Sequence, residues 1–248
     1  MNEEVVVHQE PEEEVQEMGA VERIIGVYFS PRKTFEYLRG KPKWLVPFII
    51  ICLIALLSNY LVRDIGIQEQ IERVQMSERL TEEQKDQYIE RIQSSTSGWQ
   101  SYIQLIATPV VIFIIFVVVA GIFLFFGNML FGGQANFRQV LSVYAHAGLV
   151  AVPSAIVKIP LMLAQGTTRV QTSLAVLLSA DAEGTMLYRL LSKFCIFSIW
   201  EVILLIIGIS VIYRFSGGKA STMVLIVWAL WIIVSVALGG VFRGLGLG

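Results

Sequence analysis

Cysteine and histidine are scarce in this sequence, which holds only two of each in 248 residues. Cys52 and Cys195 fall inside apolar blocks at different expected depths, which argues against a disulfide and leaves both as packing residues. With His8 and His146 as the only histidines, no metal cluster can be assembled from histidine and cysteine. Charge is also short: 16% of residues are charged, against about a quarter in soluble domains. The phosphate-binding loop, the dinucleotide fingerprint and the His-Glu-x-x-His run are all missing. Ser30 to Lys33 formally matches a Ser-x-x-Lys nucleophile, yet the partner motifs of that pattern are absent, and helix capping by Ser30 with lipid contact by Lys33 explains it better. No nucleophile, acid–base pair and oxyanion donor can be put together, so neither catalytic residues nor a cofactor is expected. The one basic belt is short and lies beside an apolar block, which does not support nucleic-acid binding.

Apolar residues, by contrast, make up 55% of the chain and are gathered into blocks. Crossing a hydrocarbon core about 30 Å thick takes roughly 20 consecutive apolar residues. Five blocks reach that length: 44–62, 103–130, 140–164, 194–212 and 223–242. Lipid offers no partner for backbone N–H and C=O groups, and these blocks lack the alternation of barrel strands, so each is expected to be a helix. The predicted fold is therefore all-α, a polytopic bundle of five transmembrane spans. The second block is longer than needed and is expected to tilt, or to enter the membrane near Pro109 after an interfacial turn.

Residues 1–20 carry seven glutamates and no lysine or arginine, the composition of a disordered acidic tail. Its start lacks the layout of a cleavable signal peptide, so span one is expected to act as an uncleaved insertion signal. Within 21–43, Val21, Ile24, Ile25 and Tyr28 share one helical face, and Ser30-Pro31 reads as a cap and first helical residue. A second short helix places Phe35 and Leu38 on its apolar side, with Arg32, Lys33, Arg39, Lys41 and Lys43 around it. Such a segment is expected to lie on an anionic leaflet, each nearby cation contributing about 1 kcal/mol. The positive-inside rule then puts the N-terminus in the cytoplasm and the C-terminus outside.

The first loop is expected to form an external helical hairpin over 66–98. Ile67, Ile71 and Val74 give one apolar stripe, Tyr88 and Ile92 the next, and Thr81 with Gln84 has capping-box spacing. It reads either as a solvated connector or as an element that caps the bundle or binds a partner. The spans form one domain over 44–242, followed by a short tail, 243–248.

Three ionisable groups fall inside spans, where a charge at the bilayer centre costs about 2.5–3.5 kcal/mol. At about 1.5 Å per residue, Lys158 lies about 9 Å before the outer end of span three and Glu201 about 10 Å after the outer start of span four. Lys158 continues the small-residue stripe Ala147, Ala151, Ala155, and Glu201 shares a face with Gly208, so both are expected to point inward and form an ion pair. That pair either locks helix register or lines a path for an ion or polar solute. Prolines 153 and 160 interrupt span three alone, without the matched breaks usual in transporters. His146 and Asn128 sit at comparable depth and are expected to share a hydrogen bond, the other reading being a proton sensor. Ser235 with Gly239, and Gly240 with Gly244, have the spacing of close helix packing or self-association into a homo-oligomer.

These pieces resemble the Yip domain family, membrane proteins named for interaction with Ypt and Rab GTPases, and its prokaryotic branch in particular. The resemblance rests on Phe29-Ser30-Pro31 with Thr34-Phe35, on Trp44 and Pro47 where span one begins, and on Phe137, Val140-Leu141 and Tyr144-Ala145 opening span three. Pro153 follows within that span; Trp200, Leu204 and Gly208, then Lys219-Ala220 and Trp228, fit the last two. It covers roughly residues 20–242 and implies a five-span bundle with a cytoplasmic N-terminus, in the inner membrane of a prokaryotic cell. Eukaryotic relatives act in vesicle traffic, but the short acidic N-terminal region here is unlike their longer cytosolic regions, so the resemblance does not carry over GTPase binding. Two functions from different classes remain: a non-enzymatic scaffold or adaptor for lipid and membrane-protein partners, and a small-solute or ion transporter or channel using Lys158 and Glu201.

Overall fold

The computed structural model describes residues 17–78, 80–95, 99–170, 172–178, 182 and 185–244, the side-chain surroundings of 95, 99–102, 104–105 and 238–244 excepted. Most of the acidic tail and of the C-terminal tail therefore lie outside the described residues, as do the surroundings of Gly239, Gly240 and Gly244. Among the described residues the chain is helical, with no β-strand and one isolated bridge between Ser173 and Cys195. Five helices are long and apolar enough to cross a membrane: Leu45–Gln75, Ile106–Leu130, Phe137–Gln165, Ile196–Tyr213 and Gly217–Ala237. The chain is thus an all-α, multi-pass bundle. Successive spans run antiparallel, so one end of the bundle holds the N-terminal helices and the other, distal end holds the loops after spans one and three.

Two short helices precede the spans, α1 (Ala20–Phe29) and α2 (Pro31–Gly40). Proline at the first position of α2 suits a site whose N–H would be orphaned anyway. Ser30 supplies no side-chain cap; instead the Thr34 hydroxyl donates to the Ser30 carbonyl at 3.2 Å. The apolar side of α2 does not face lipid headgroups. Phe35, Leu38 and Thr34 are completely buried, because α2 packs against the first half of span three and the end of span four. Burying a side chain such as Phe35 or Leu38 contributes about 1.5–3 kcal/mol over leaving it in water. The face expected on α1 is split in two: Ile24, Val27 and Tyr28 join the core, while Val21, Ile25 and Phe29 stay outside at 67%, 52% and 82% exposure.

Span one, α3 (Leu45–Gln75), continues well beyond its apolar block. The external hairpin is therefore the distal end of α3 followed by α4 (Glu82–Ser95), not two separate loop helices. Thr81 and Gln84 form the expected reciprocal cap, with Thr81 N–H donating to Gln84 Oε1 at 3.0 Å and Gln84 N–H to Thr81 Oγ1 at 3.3 Å. The extension has a clasp. Glu69 accepts from the Thr167 hydroxyl at 2.5 Å, from the Thr168 N–H at 2.9 Å and from the Thr168 hydroxyl, tying span one to the loop after span three.

Span two, α5 (Trp99–Phe125), passes through Pro109 as one helix with no interfacial turn, and finishes in a π-helical turn over Phe126–Leu130. A β-carbon on Gly127 would lie 2.2 Å from the Tyr213 ring, so glycine is needed for the close approach of span four. Tyr213 in turn donates to the Phe123 carbonyl at 3.3 Å and stacks on Phe215 with ring centres 5.0 Å apart.

Span three is broken near its middle. α6 (Phe137–Ala147) opens with a capping box between Asn136 and Gln139, runs into a single 3-10 turn at Gly148–Val150, and resumes as α7 (Ala151–Gln165). The cause is Pro153, which has no N–H to give the carbonyl four residues back and whose ring crowds it. That carbonyl belongs to Leu149, and the Tyr28 hydroxyl of α1 donates to it at 2.6 Å. Tyr28 also meets Trp200 of span four edge to face at 5.6 Å. A short helix, α8 (Met186–Leu191), precedes span four, α9 (Ile196–Tyr213), and span five, α10 (Gly217–Gly244).

Candidate functional site

A cleft of about 300 Å³ opens beside the break in span three. Its walls come from span three (Tyr144, Ala151, Ser154, Lys158) and from the start of span four (Phe197, Ser198, Glu201), with Ile51 and Phe116 of spans one and two completing it. Proline 153 sets this geometry, since the 3-10 turn that it forces contributes Gly148 and Val150 to the lining. Tyr144 is held against Phe116 edge to face at 4.9 Å.

Lys158 and Glu201 thus come to one cleft. They do not form a direct ion pair within 4.0 Å, unlike Arg32–Glu36, Lys41–Glu17 and Lys85–Glu82. The Lys158 ammonium lies 5.7 Å from the centre of the Phe197 ring, at cation–π range. Both side chains line the cleft, but helical periodicity contains no information on the gap between two helices.

The remaining expectations divide. Asn128 and His146 are not joined. The Asn128 side chain donates to the Ala135 carbonyl at 3.0 Å and accepts from the Ala135 N–H at 3.1 Å, closing the turn between spans two and three. His146 is fully buried and uses Nδ1 on the Ser142 carbonyl at 2.8 Å, one helical turn back. Cys52 is a buried free thiol. Cys195 is more than packing: it caps α9, its sulfur accepting from the Ser198 N–H at 3.3 Å while Ser198 Oγ accepts from the Cys195 N–H at 3.1 Å. Among the described residues no group of three or more His, Cys, Asp or Glu is placed to hold a metal ion.

Of the basic belt, Arg32, Lys33, Lys41 and Lys43 are exposed. Arg39 instead turns inward, its guanidinium 3.5 Å from the Val211 carbonyl at the end of span four, while its own carbonyl accepts from Gln139 Nε2 at 2.7 Å. Lys41 bridges Glu17 at 3.0 Å. The adjacent ammonium holds the Glu17 carboxyl below the usual carboxylate range and the carboxylate raises Lys41 in return. Tyr28, which periodicity placed on a helical face, shapes the site through its hydroxyl, a role that periodicity did not assign. Proline 153 was its available signal, since a freed carbonyl within a span must find a donor.

Five apolar helices, a broken third span and an N-terminal helical pair wedged into the bundle define a polytopic α-helical membrane protein. Its family model follows: the Yip1 domain matches residues 25–239, and the chain belongs to the Yip1 domain family. Comparison with curated proteins and with solved structures finds no match.

Proposed function

We propose that the chain is a non-enzymatic membrane scaffold or adaptor of the Yip type, organising lipid and membrane-protein partners from the cytoplasmic face of a prokaryotic inner membrane. The observation that carries this reading is the outer face of α1. Val21, Ile25 and Phe29 stand exposed in one row, beside the exposed cations Arg32 and Lys33. The opposite faces of α1 and α2 are fixed in the core by Val27, Phe35 and Leu38, so the row is presented on a rigid support. An apolar row with a basic margin suits a leaflet surface or a partner helix lying on it.

The test is a photo-crosslinking side chain at Phe29 in native membranes, with identification of the captured neighbours. Defined neighbours are expected, and they should be lost when Val21 and Ile25 are changed to serine in a protein that still folds. A second reading, a small-solute or ion pathway, draws on the cleft shared by Lys158 and Glu201 beside a broken helix. Flux into reconstituted liposomes that is present in the wild type and vanishes in Glu201→Gln would replace the scaffold reading with this one.

A further inference from the structure

We propose that the cleft between spans three and four binds a zwitterion, a small group carrying an oxyanion and an ammonium, with Lys158 taking the oxyanion and Glu201 the ammonium. The inference is independent of the scaffold reading, since a ligand held here need not cross the membrane.

Two opposite charges embedded in adjacent spans would ordinarily neutralise each other by direct contact, the least costly arrangement for ionisable groups within a span. Here they face one cleft of about 300 Å³ and are more than 4.0 Å apart, since they are absent from the ion pairs among the described residues. No hydrogen bond among the described residues engages either head group; the ammonium of Lys158 lies 5.7 Å from the Phe197 ring centre, with Cys195 in the same lining. Both helices are anchored. Span three is fixed at its break by Tyr28, and span four starts from the Cys195–Ser198 cap, so the walls do not simply close on one another.

A single anion or cation in that space would compensate one wall and leave the other charge bare. A zwitterion compensates both with one molecule. The rings of Tyr144 and Phe197 line the same space, and an ammonium is stabilised over an aromatic face. The volume lies at the small end of the roughly 300–1,000 Å³ usual for ligand sites, which fits a headgroup-sized molecule. The same chemistry is offered by the phosphoethanolamine headgroup of a lipid and by a free phosphoethanolamine ester.

The full chain, purified in a non-ionic maltoside detergent, is tested by native mass spectrometry with phosphatidylethanolamine and with phosphatidylglycerol of the same acyl chains. Water-soluble glycerophosphoethanolamine is added in parallel while thermal unfolding is followed. Wild type should retain phosphatidylethanolamine at least tenfold better than phosphatidylglycerol, and Lys158→Gln and Glu201→Gln should each lose that preference. Protection by the soluble ester identifies a free solute as sufficient; retention of the lipid without such protection identifies the membrane-borne headgroup. Ala151→Leu keeps both charges and fills the cleft, and it should abolish binding in a protein whose circular dichroism is unchanged. Equal retention of the two lipids by wild type overturns the proposal, as does wild-type binding in any folded variant of the three.

Discussion

Replacing Gly208 with alanine adds one methyl group at a tight contact between spans three and four. The new β-carbon would lie 2.4 Å from Val143 Cγ1, 3.2 Å from Cγ2 and 3.3 Å from Phe35 Cε1, where carbon atoms settle about 3.5–4.0 Å apart. Val143 cannot step aside cheaply. It is β-branched, with a strongly preferred rotamer in a helix, and it is completely buried, as is Phe35. Relief must come from a shift of span four away from span three and α2, an overpacking cost of about 1–3 kcal/mol. Val143→Ala alone removes two methyl groups, worth at least about 1.6 kcal/mol at about 0.8 kcal/mol each, and leaves a void. In the double variant the alanine at 208 grows into that void, so the two losses should not add, and a favourable coupling of about 1 kcal/mol or more is expected. The assay is reversible unfolding in mixed micelles followed by circular dichroism across the four members of the cycle. The reasoning is refuted if the single losses add to within about 0.5 kcal/mol, or if Gly208→Ala is as stable as wild type.

Two further predictions follow from contacts of the N-terminal helices. Tyr28→Phe removes the donor to the Leu149 carbonyl and should destabilise the bundle by about 1–3 kcal/mol, the penalty for an orphaned buried acceptor; adding Pro153→Ala, which restores an N–H to that carbonyl, should recover part of the loss in the same unfolding assay. The Glu17–Lys41 bridge should be pH-sensitive in a predictable sense: the depressed Glu17 carboxyl contributes above its ordinary value of 4.5 and loses its contribution as pH falls through the lowered value, whereas the raised Lys41 contributes below 10.5 and fades only as pH rises through its own. A spin label at Gly19→Cys should therefore gain mobility as pH falls through that lowered carboxyl value, and Lys41→Ala should make it mobile throughout; a mobility independent of pH in the wild type would count against the bridge.

The five spans were legible because hydrocarbon imposes one demand, internal satisfaction of every backbone polar group over a fixed length. The Thr81–Gln84 cap was legible because its determinants lie within four residues. Helix α2 was not. Phe35 and Leu38 with surrounding cations describe a helix on a lipid surface as well as one wedged between spans three and four, and only the partner face, built from residues a hundred positions away, decides between them. The same limit governs the candidate site. Rise per residue gives Lys158 and Glu201 a common expected depth, but their separation depends on how far Pro153 and Gly208 let spans three and four approach. Asn128 and His146 had a comparable expected depth as well, yet each found a nearer carbonyl or amide on its own stretch of chain, which costs less ordering than a bond between helices.

The uninterrupted first span has a mechanical corollary. A helix of 31 residues is a rod about 46 Å long, stiff from the N-terminal mouth of the bundle to the far side. Because Glu69 grips Thr167 and Thr168 from this rod, a load applied to the distal hairpin cannot be absorbed locally. It passes into the third span, toward the helix interior at Pro160 and the break at Pro153.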